Sequence, residues 1–280
     1  MTIAQAEPLL SARRASTRRH YLMCPPTFFD VSYRINPWMH PDGNVSQPRA
    51  MQQWAALRQA FVEAGHVVDV IEPVDGLPDM VFAANGGLVV EGRAVAARFR
   101  FQERAAESAA YERWFADAGL TSFGQTSAVN EGEGDLLVVG DMVLAGTGFR
   151  THLEAHAEIS ALLGRPVVSL DLIDDRYYHL DTALVVLTDE EVAYFPDAFS
   201  LRSQALLRDL FPTALLAAAS DAAAFGLNAV SDGRRVFLPA GATGLERQLV
   251  ERGFEPHPID VSELLKAGGG VKCCTLEIRR

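Results

Sequence analysis

Apolar positions along the chain fall in short paired runs, and the pairs repeat. Four segments share one design, an apolar strand, a tight polar turn and a second apolar strand. They span 81–99 (turning at Glu91-Gly92), 134–148 (Gly140-Asp141), 180–196 (Thr188 to Glu190) and 227–241 (Asp232-Gly233). Gly and Asp at such points supply the backbone freedom and local hydrogen bonds that hairpin turns need. The hairpins recur at a spacing of roughly 48 residues, within the range of repeat architectures.

Amphipathic helices are predicted between them. One covers 103–118, with Tyr111, Trp114 and Phe115 on one side; others cover 153–163, with Thr151 as N-cap, 201–210 and 245–252. Each leads to a further apolar segment, at 167–170, around 214–219 and at 257–259. A fifth unit has the helix 51–64, with Trp54, Leu57 and Phe61 at helical spacing, and the strand 67–71, but no hairpin of its own. Pairing Tyr21–Cys24 with the strand expected over 273–278 would supply one, close a ring and remove the exposed sheet edges. The expected fold class is therefore α/β, a five-bladed pseudo-symmetric propeller of repeated β-hairpin-plus-helix modules. It forms a single domain over 20–280, behind a loose N-terminal tail over 1–19.

Composition narrows the functional classes. The 280-residue chain has a formal charge of −11, which argues against nucleic-acid and anionic-membrane partners. Cys24, Cys273 and Cys274 are its three cysteines, too sparse for a disulfide framework and consistent with a reducing, cytoplasmic location. No apolar run is long enough to span a bilayer. Arg13, Arg14, Arg18 and Arg19 have no hydrophobic stretch behind them, so the start of the chain does not read as a secretory signal.

In a ring, the inner ends of the modules converge on one axial pocket. The polar residues at those places are Asn36, Asp79, Asn85, Glu131, His179, Asp181 and Cys273. Cys273 and Cys274 follow Gly268 to Gly270. On a strand only one of the two faces a given cavity, and taken alone the pair reads as two small core residues. His179 and Asp181, two apart on an expected strand, share a face. Glu131-Gly132-Glu133-Gly134-Asp135 places three acids among glycines ahead of an apolar strand, and Asn85-Gly86 by itself suggests a turn. Lys272 is expected to face away from the pocket. His152 and His156 stand at a metal-ligand spacing, but the order His-Leu-Glu-Ala-His offers no third ligand. It reads as a solvated helix face, and no metal is expected.

Five segments together resemble the guanidine-modifying superfamily, the penteins. They are Leu77-Pro78-Asp79 with Phe82 and Asn85, Glu131-Gly132 with Gly134-Asp135, Gly148-Phe149-Arg150-Thr151, His179-Leu180-Asp181-Thr182, and Cys273-Cys274-Thr275-Leu276. The resemblance covers nearly the whole chain after the tail and implies the five-bladed α/β propeller that the repeats suggest independently. It implies a cysteine hydrolase of guanidino groups with no cofactor, whose partner is a small molecule, arginine or a derivative; a homo-oligomer stays open. By the same resemblance Cys273 is the nucleophile, His179 the general acid and base, and Glu131 the carboxylate that holds the guanidinium and supports proton transfer. Asp181 is a second carboxylate on the guanidinium, Arg150 the partner of the substrate α-carboxylate, and Arg104 a further carboxylate contact. Asp79, Asn85 and Asn36 complete the substrate-binding set.

At position 85 this chain departs from the deiminases and dimethylaminohydrolases, which carry Asp there. With Met23-Cys24-Pro25-Pro26 and Ile35-Asn36-Pro37-Trp38-Met39, Asn85 resembles the arginine dihydrolase branch, which converts arginine to ornithine, carbon dioxide and ammonia. Dimethylarginine dimethylaminohydrolase and arginine deiminase, both giving citrulline, are the alternatives. An amidinotransferase or a non-catalytic pentein stands further off.

Overall fold

The hairpins form where the polar turns predict them. The computed structural model describes residues 14–280. After β1 (His20–Met23) and β2 (Val67–Val70) come β3 (Gly87–Val90) and β4 (Arg93–Ala96). Glu91 and Gly92 join these two at positive φ, 51° and 71°, the turn whose twist matches that of the strands it connects. Then follow β5 (Thr121–Gln125), β6 (Leu136–Val139), β7 (Met142–Thr147), β8 (Val167–Asp171), β9 (Leu184–Val186), β10 (Val192–Tyr194), β11 (Leu215–Leu216), β12 (Val230–Ser231), β13 (Arg235–Pro239), β14 (Glu255–Ile259) and β15 (Leu276–Glu277).

These strands make five three-stranded sheets: β3-β4-β5, β6-β7-β8, β9-β10-β11, β12-β13-β14 and β15-β1-β2. In each sheet the first strand is antiparallel to the second and the second is parallel to the third. A parallel pair needs a crossover, and a helix supplies it every time. Gln47–Glu63 lies between β1 and β2, Gln102–Ala105 with Glu107–Asp117 between β4 and β5, Leu153–Leu163 between β7 and β8, Leu201–Leu210 between β10 and β11, and Thr243–Glu251 between β13 and β14. Their apolar faces, including Leu57, Phe61, Tyr111, Phe115, Ile159, Leu207 and Leu249, are fully buried against the sheets. The fifth sheet closes the ring: Tyr21 pairs with Glu277 and Leu22 with Leu276. A parallel bridge from Val89 to Ile278 ties this sheet to β3. The five first strands are the inner ones: β15 touches β3, β6 touches β9 and β9 touches β12, while β3 meets the turn that precedes β6.

Of the tail expected over 1–19, the first thirteen residues lie outside the described part. The rest is pinned to the body. Arg14 pairs with Glu191 at 2.5 Å and covers the Phe254 ring, and the Thr17 amide donates to Asp232 O at 2.7 Å. Among the described residues, no helix is long and apolar enough to cross a membrane.

Candidate active site

Before each inner strand comes a buried polar or thiol residue, and contacts link Asn85 to Glu131, Glu131 to His179 and Asn228 to Cys273. Asn85 comes before β3, Glu131 before β6, His179 before β9, Asn228 before β12 and Cys273 before β15. All five are at most 2% exposed. Three of the intervals are 46, 48 and 45 residues, so the module repeat itself assembles the cluster.

Two local conformations differ from expectation. His179 and Asp181 do not lie on a strand: residues Leu180–Ala183 form a single helical turn that His179 precedes, and β9 begins only at Leu184. The turn is held from below by the buried Asp135 carboxylate, which accepts from the Leu180 amide at 3.0 Å and the Thr151 amide at 3.1 Å. Such partners satisfy the free N–H groups at a helix start. Cys273 and Cys274 likewise sit in a turn, and so does Lys272. The two thiols nevertheless face different neighbours. Cys273 Sγ lies 3.0 Å from Asn228 Nδ2 and donates to Asp181 Oδ2 at 3.3 Å. Burial pushes the Cys274 thiol up, and Cys24 beside it adds to the effect. Lys272 turns away as expected, to Glu133 at 2.7 Å.

His179 Nε2 meets Glu131 Oε2 at 2.7 Å. Burial opposes the Glu131 charge, but Arg150 and His179 outweigh it and hold the carboxyl well below the usual carboxylate range. The Glu131 amide donates to Thr151 Oγ1 at 3.0 Å. Thr151 is therefore not the N-cap of the following helix; His152 occupies that place without a side-chain bond. A Cβ on Gly134 would fall 2.3 Å from Asn85 Nδ2 and 3.2 Å from the His179 ring, so this glycine is needed for the close approach.

Burial pushes Asp181 up to about 6, against the pull of His179 and Lys272. Burial and then Asp181 push the Cys273 thiol well above its ordinary value. Arg150 donates to Glu131 Oε2 and to Ile35 O, both at 2.9 Å, and its guanidinium is stacked between the Phe101 and Tyr178 rings. Asp79 accepts from the Tyr33 hydroxyl at 2.8 Å.

Asn36 and Arg104 have structural work to do. Asn36 Oδ1 accepts from the Trp38 and Met39 amides while Nδ2 donates to Ala267 O at 3.0 Å. It fastens the 24–46 loop across the site. Arg104 is a buried hub: Nε and one terminal nitrogen bind Glu107 at 2.8 Å each, and the other terminal nitrogen donates to Asn85 Oδ1 at 2.8 Å. The expectation of a carboxylate contact for Arg104 meets a carboxylate from the chain itself. His156 is not on a solvated face; it is buried between Ser169 Oγ at 2.7 Å and Gly146 O at 3.2 Å. Among the described residues no group of three or more His, Cys, Asp or Glu is placed to hold a metal ion.

Asn228 was the residue that sequence reasoning missed. Leu227-Asn228 opens the fourth hairpin as His179 opens the third, and the module interval alone points to it. Its polar side chain is easily read as a turn residue.

No protein-family model matches the chain. It is 57% identical over 267 residues to N(G),N(G)-dimethylarginine dimethylaminohydrolase of Mycobacterium tuberculosis, covering 95% of this chain and 88% of that one. It is 39% identical to the bifunctional arginine dihydrolase/ornithine cyclodeaminase ArgZ of Synechocystis, covering 92% of this chain and 37% of that protein's length. The solved N-terminal domain of ArgZ, an arginine dihydrolase bound to its substrate, matches with a TM-score of 0.88 at 37% identity, over 94% of this chain and 98% of that one.

Proposed function

The chain belongs to the guanidine-modifying superfamily, among its hydrolases of guanidino groups, and we propose that it acts on free L-arginine as an arginine dihydrolase. The observation that carries this reading is the chemistry left open around Cys273. Asp79 Oδ1, Asp181 Oδ1 and His179 Nδ1 are buried without a hydrogen-bond partner. Buried acceptors without donors are costly, and a planar guanidinium supplies donors and charge together.

The reaction follows from these groups. The free thiol is held neutral by burial and by Asp181. A guanidinium seated against Asp181 offsets that carboxylate and favours the thiolate. The thiol proton passes to the open Nδ1 of His179, and Cys273 Sγ bonds to the guanidinium carbon. His179, oriented through Nε2 by Glu131, gives that proton to the nitrogen that departs as ammonia as its bond to the carbon breaks. His179 next takes a proton from water, which attacks the thiouronium carbon and frees the thiol with citrulline. A second round on the ureido carbon ends in ornithine, carbon dioxide and ammonia. Arg150, with guanidinium donors left over, receives the substrate α-carboxylate.

Asn85 supports the second round. Its oxygen is taken by Arg104 at 2.8 Å, whereas its Nδ2 makes only a 3.4 Å contact to Glu131 O. That leaves a donor for the oxygen of a urea, which citrulline has and arginine lacks. The 57% identity to a dimethylarginine dimethylaminohydrolase favours a second reading, hydrolysis of methylated arginine to citrulline. Parallel incubations with arginine and dimethylarginine separate the two: ornithine from arginine supports the first, dimethylamine release without ornithine the second.

A further inference from the structure

The inner strands have two ends. Their beginnings carry the residues described above; their far ends enclose a separate cavity of about 310 Å³, within the size range of small-molecule sites. Val90, Val138, Val186 and Val230, from four modules, line it, and Tyr21 and Glu277 complete the ring from the fifth.

Its polar character is the reverse of the catalytic end. The walls carry five Arg or Lys side chains against three Asp or Glu, in a chain of formal charge −11. Two lining atoms are buried without partners, Arg19 Nε and the Tyr21 hydroxyl, and Tyr21 is 1% exposed. Both are donors. The acceptors left open among the described residues, on Asp79, His179, Asp181 and Asp221, belong to residues outside these walls. Glu277 is already shared by Arg19 at 3.2 Å and Arg279 at 2.8 Å. Arg165 is likewise held by Glu91 at 2.8 Å and Lys272 by Glu133 at 2.7 Å. The groups left open are thus Arg19 Nε and the Tyr21 hydroxyl, and an occupant that brings acceptors meets them.

We propose that this cavity is a second ligand site, taking an organic anion whose charged end meets Arg19, Tyr21 and Arg279 and whose short apolar body rests on the strand-end valines. The site touches the nucleophile's own segment. Lys272 lines the cavity, precedes Cys273, and is tied to Glu133 at 2.7 Å. Arg279 is bonded to the same carboxylate. Glu133 adjoins Gly134, which packs against Asn85 and His179. An anion that competes with Glu133 for these cations acts on the catalytic turn without entering the substrate pocket, and alters kcat rather than substrate KM.

Hexanoate tests this, with hexylammonium as a control of the same body and opposite charge. Calorimetry and thermal melting of the intact Cys273→Ser protein, saturated with arginine, should still register hexanoate and not hexylammonium. Tyr21→Phe keeps the ring packing and removes only the unpartnered hydroxyl; Arg19→Gln removes one cation. Each should weaken hexanoate by about tenfold with little change in the ligand-free melting temperature. The proposal falls if hexanoate does not bind, if hexylammonium binds equally, if saturating arginine displaces hexanoate, or if neither variant changes its affinity. Binding is read without turnover, so failure here leaves the arginine reading standing, and failure of that reading leaves this one intact.

Discussion

The Asn228 carboxamide holds Cys273 at both ends, with Oδ1 accepting from the cysteine amide at 3.1 Å and Nδ2 lying 3.0 Å from its sulfur. The amide N–H fixes which way the carboxamide points, because a flipped group would set two donors against each other. Nδ2 is therefore a donor aimed at Sγ, and it also donates to Asp181 O at 3.2 Å. Asn228→Ala should slow turnover by about ten- to a hundredfold. Asn228→Asp, which faces the sulfur with a second carboxylate, should be worse. The pH dependence of Cys273 alkylation by iodoacetamide checks this: the profile should move to higher pH in the Asp variant. An unchanged profile would leave Asn228 as a packing residue only.

Cys273→Ser should abolish turnover with the fold intact, since a hydroxyl lacks the nucleophilicity of the thiolate. Cys274→Ser should keep most activity, because that thiol lies beside Cys24 and not beside Asp181 Oδ2. Steady-state ammonia release from both variants decides between them, and the reverse pattern would overturn the nucleophile assignment.

The ring and its modules were legible because hairpin turns and helix periodicity are local signals. The 153–163 and 201–210 helices fall where their apolar spacing puts them, and the closing pair of chain ends follows from the missing fifth hairpin. Residues 179–183 and 271–274 were not legible as turns. Apolar neighbours such as Leu180 and Val271 suit a strand, and the helical turn depends on Asp135, which is remote in sequence. Arg104 shows the same dependence: spacing gives Glu107 as a neighbour but does not say that the pair is buried. Asn228 needed the module interval to be carried into every blade.

Asp181 sets an acid limit. Burial raises it from 3.8 to about 6, so it is protonated below that pH and ceases to attract a cation. The kcat/KM for arginine should fall by about tenfold per unit below pH 6. Stability runs the other way. The unfolded carboxyl ionises first, near 3.8, so the folded form binds more protons between there and about 6 and loses stability as pH rises through that window. Asp181→Asn should therefore be inactive yet at least as stable as the parent at pH 7. Chemical denaturation at that pH tests the second half, and a marked loss of stability would count against this account of the carboxylate.

Arg104→Ala should unfold the protein more readily, not only bind substrate worse. Glu107 is fully buried, and burial holds it up to about 7 even with Arg104 beside it. Removing the arginine strands that carboxyl and frees the oxygen of Asn85. Breaking one side of a buried pair costs about 3–5 kcal/mol. Denaturation without substrate measures it, and a parent-like midpoint would restore Arg104 to a purely substrate-binding part.

Asn85→Asp should shift the product from ornithine toward citrulline. In the parent, Arg104 fixes the carboxamide oxygen at 2.8 Å and turns the NH2 group toward Glu131 O at 3.4 Å. A carboxylate keeps the bond to Arg104 but sets its second oxygen against that carbonyl and offers no donor. Cationic arginine tolerates this, because an added negative charge near its guanidinium is favourable, so the first ammonia should still be released. Citrulline is neutral, and its urea oxygen would face an acceptor in a buried site. An unmade buried hydrogen bond costs about 1–3 kcal/mol, which slows the second hydrolysis by roughly ten- to a hundredfold. Chromatography of the amino-acid products from arginine reads the ratio directly. If the parent stops at citrulline, the dihydrolase reading fails; if the variant makes ornithine at the parent rate, the second step does not depend on the Asn85 donor.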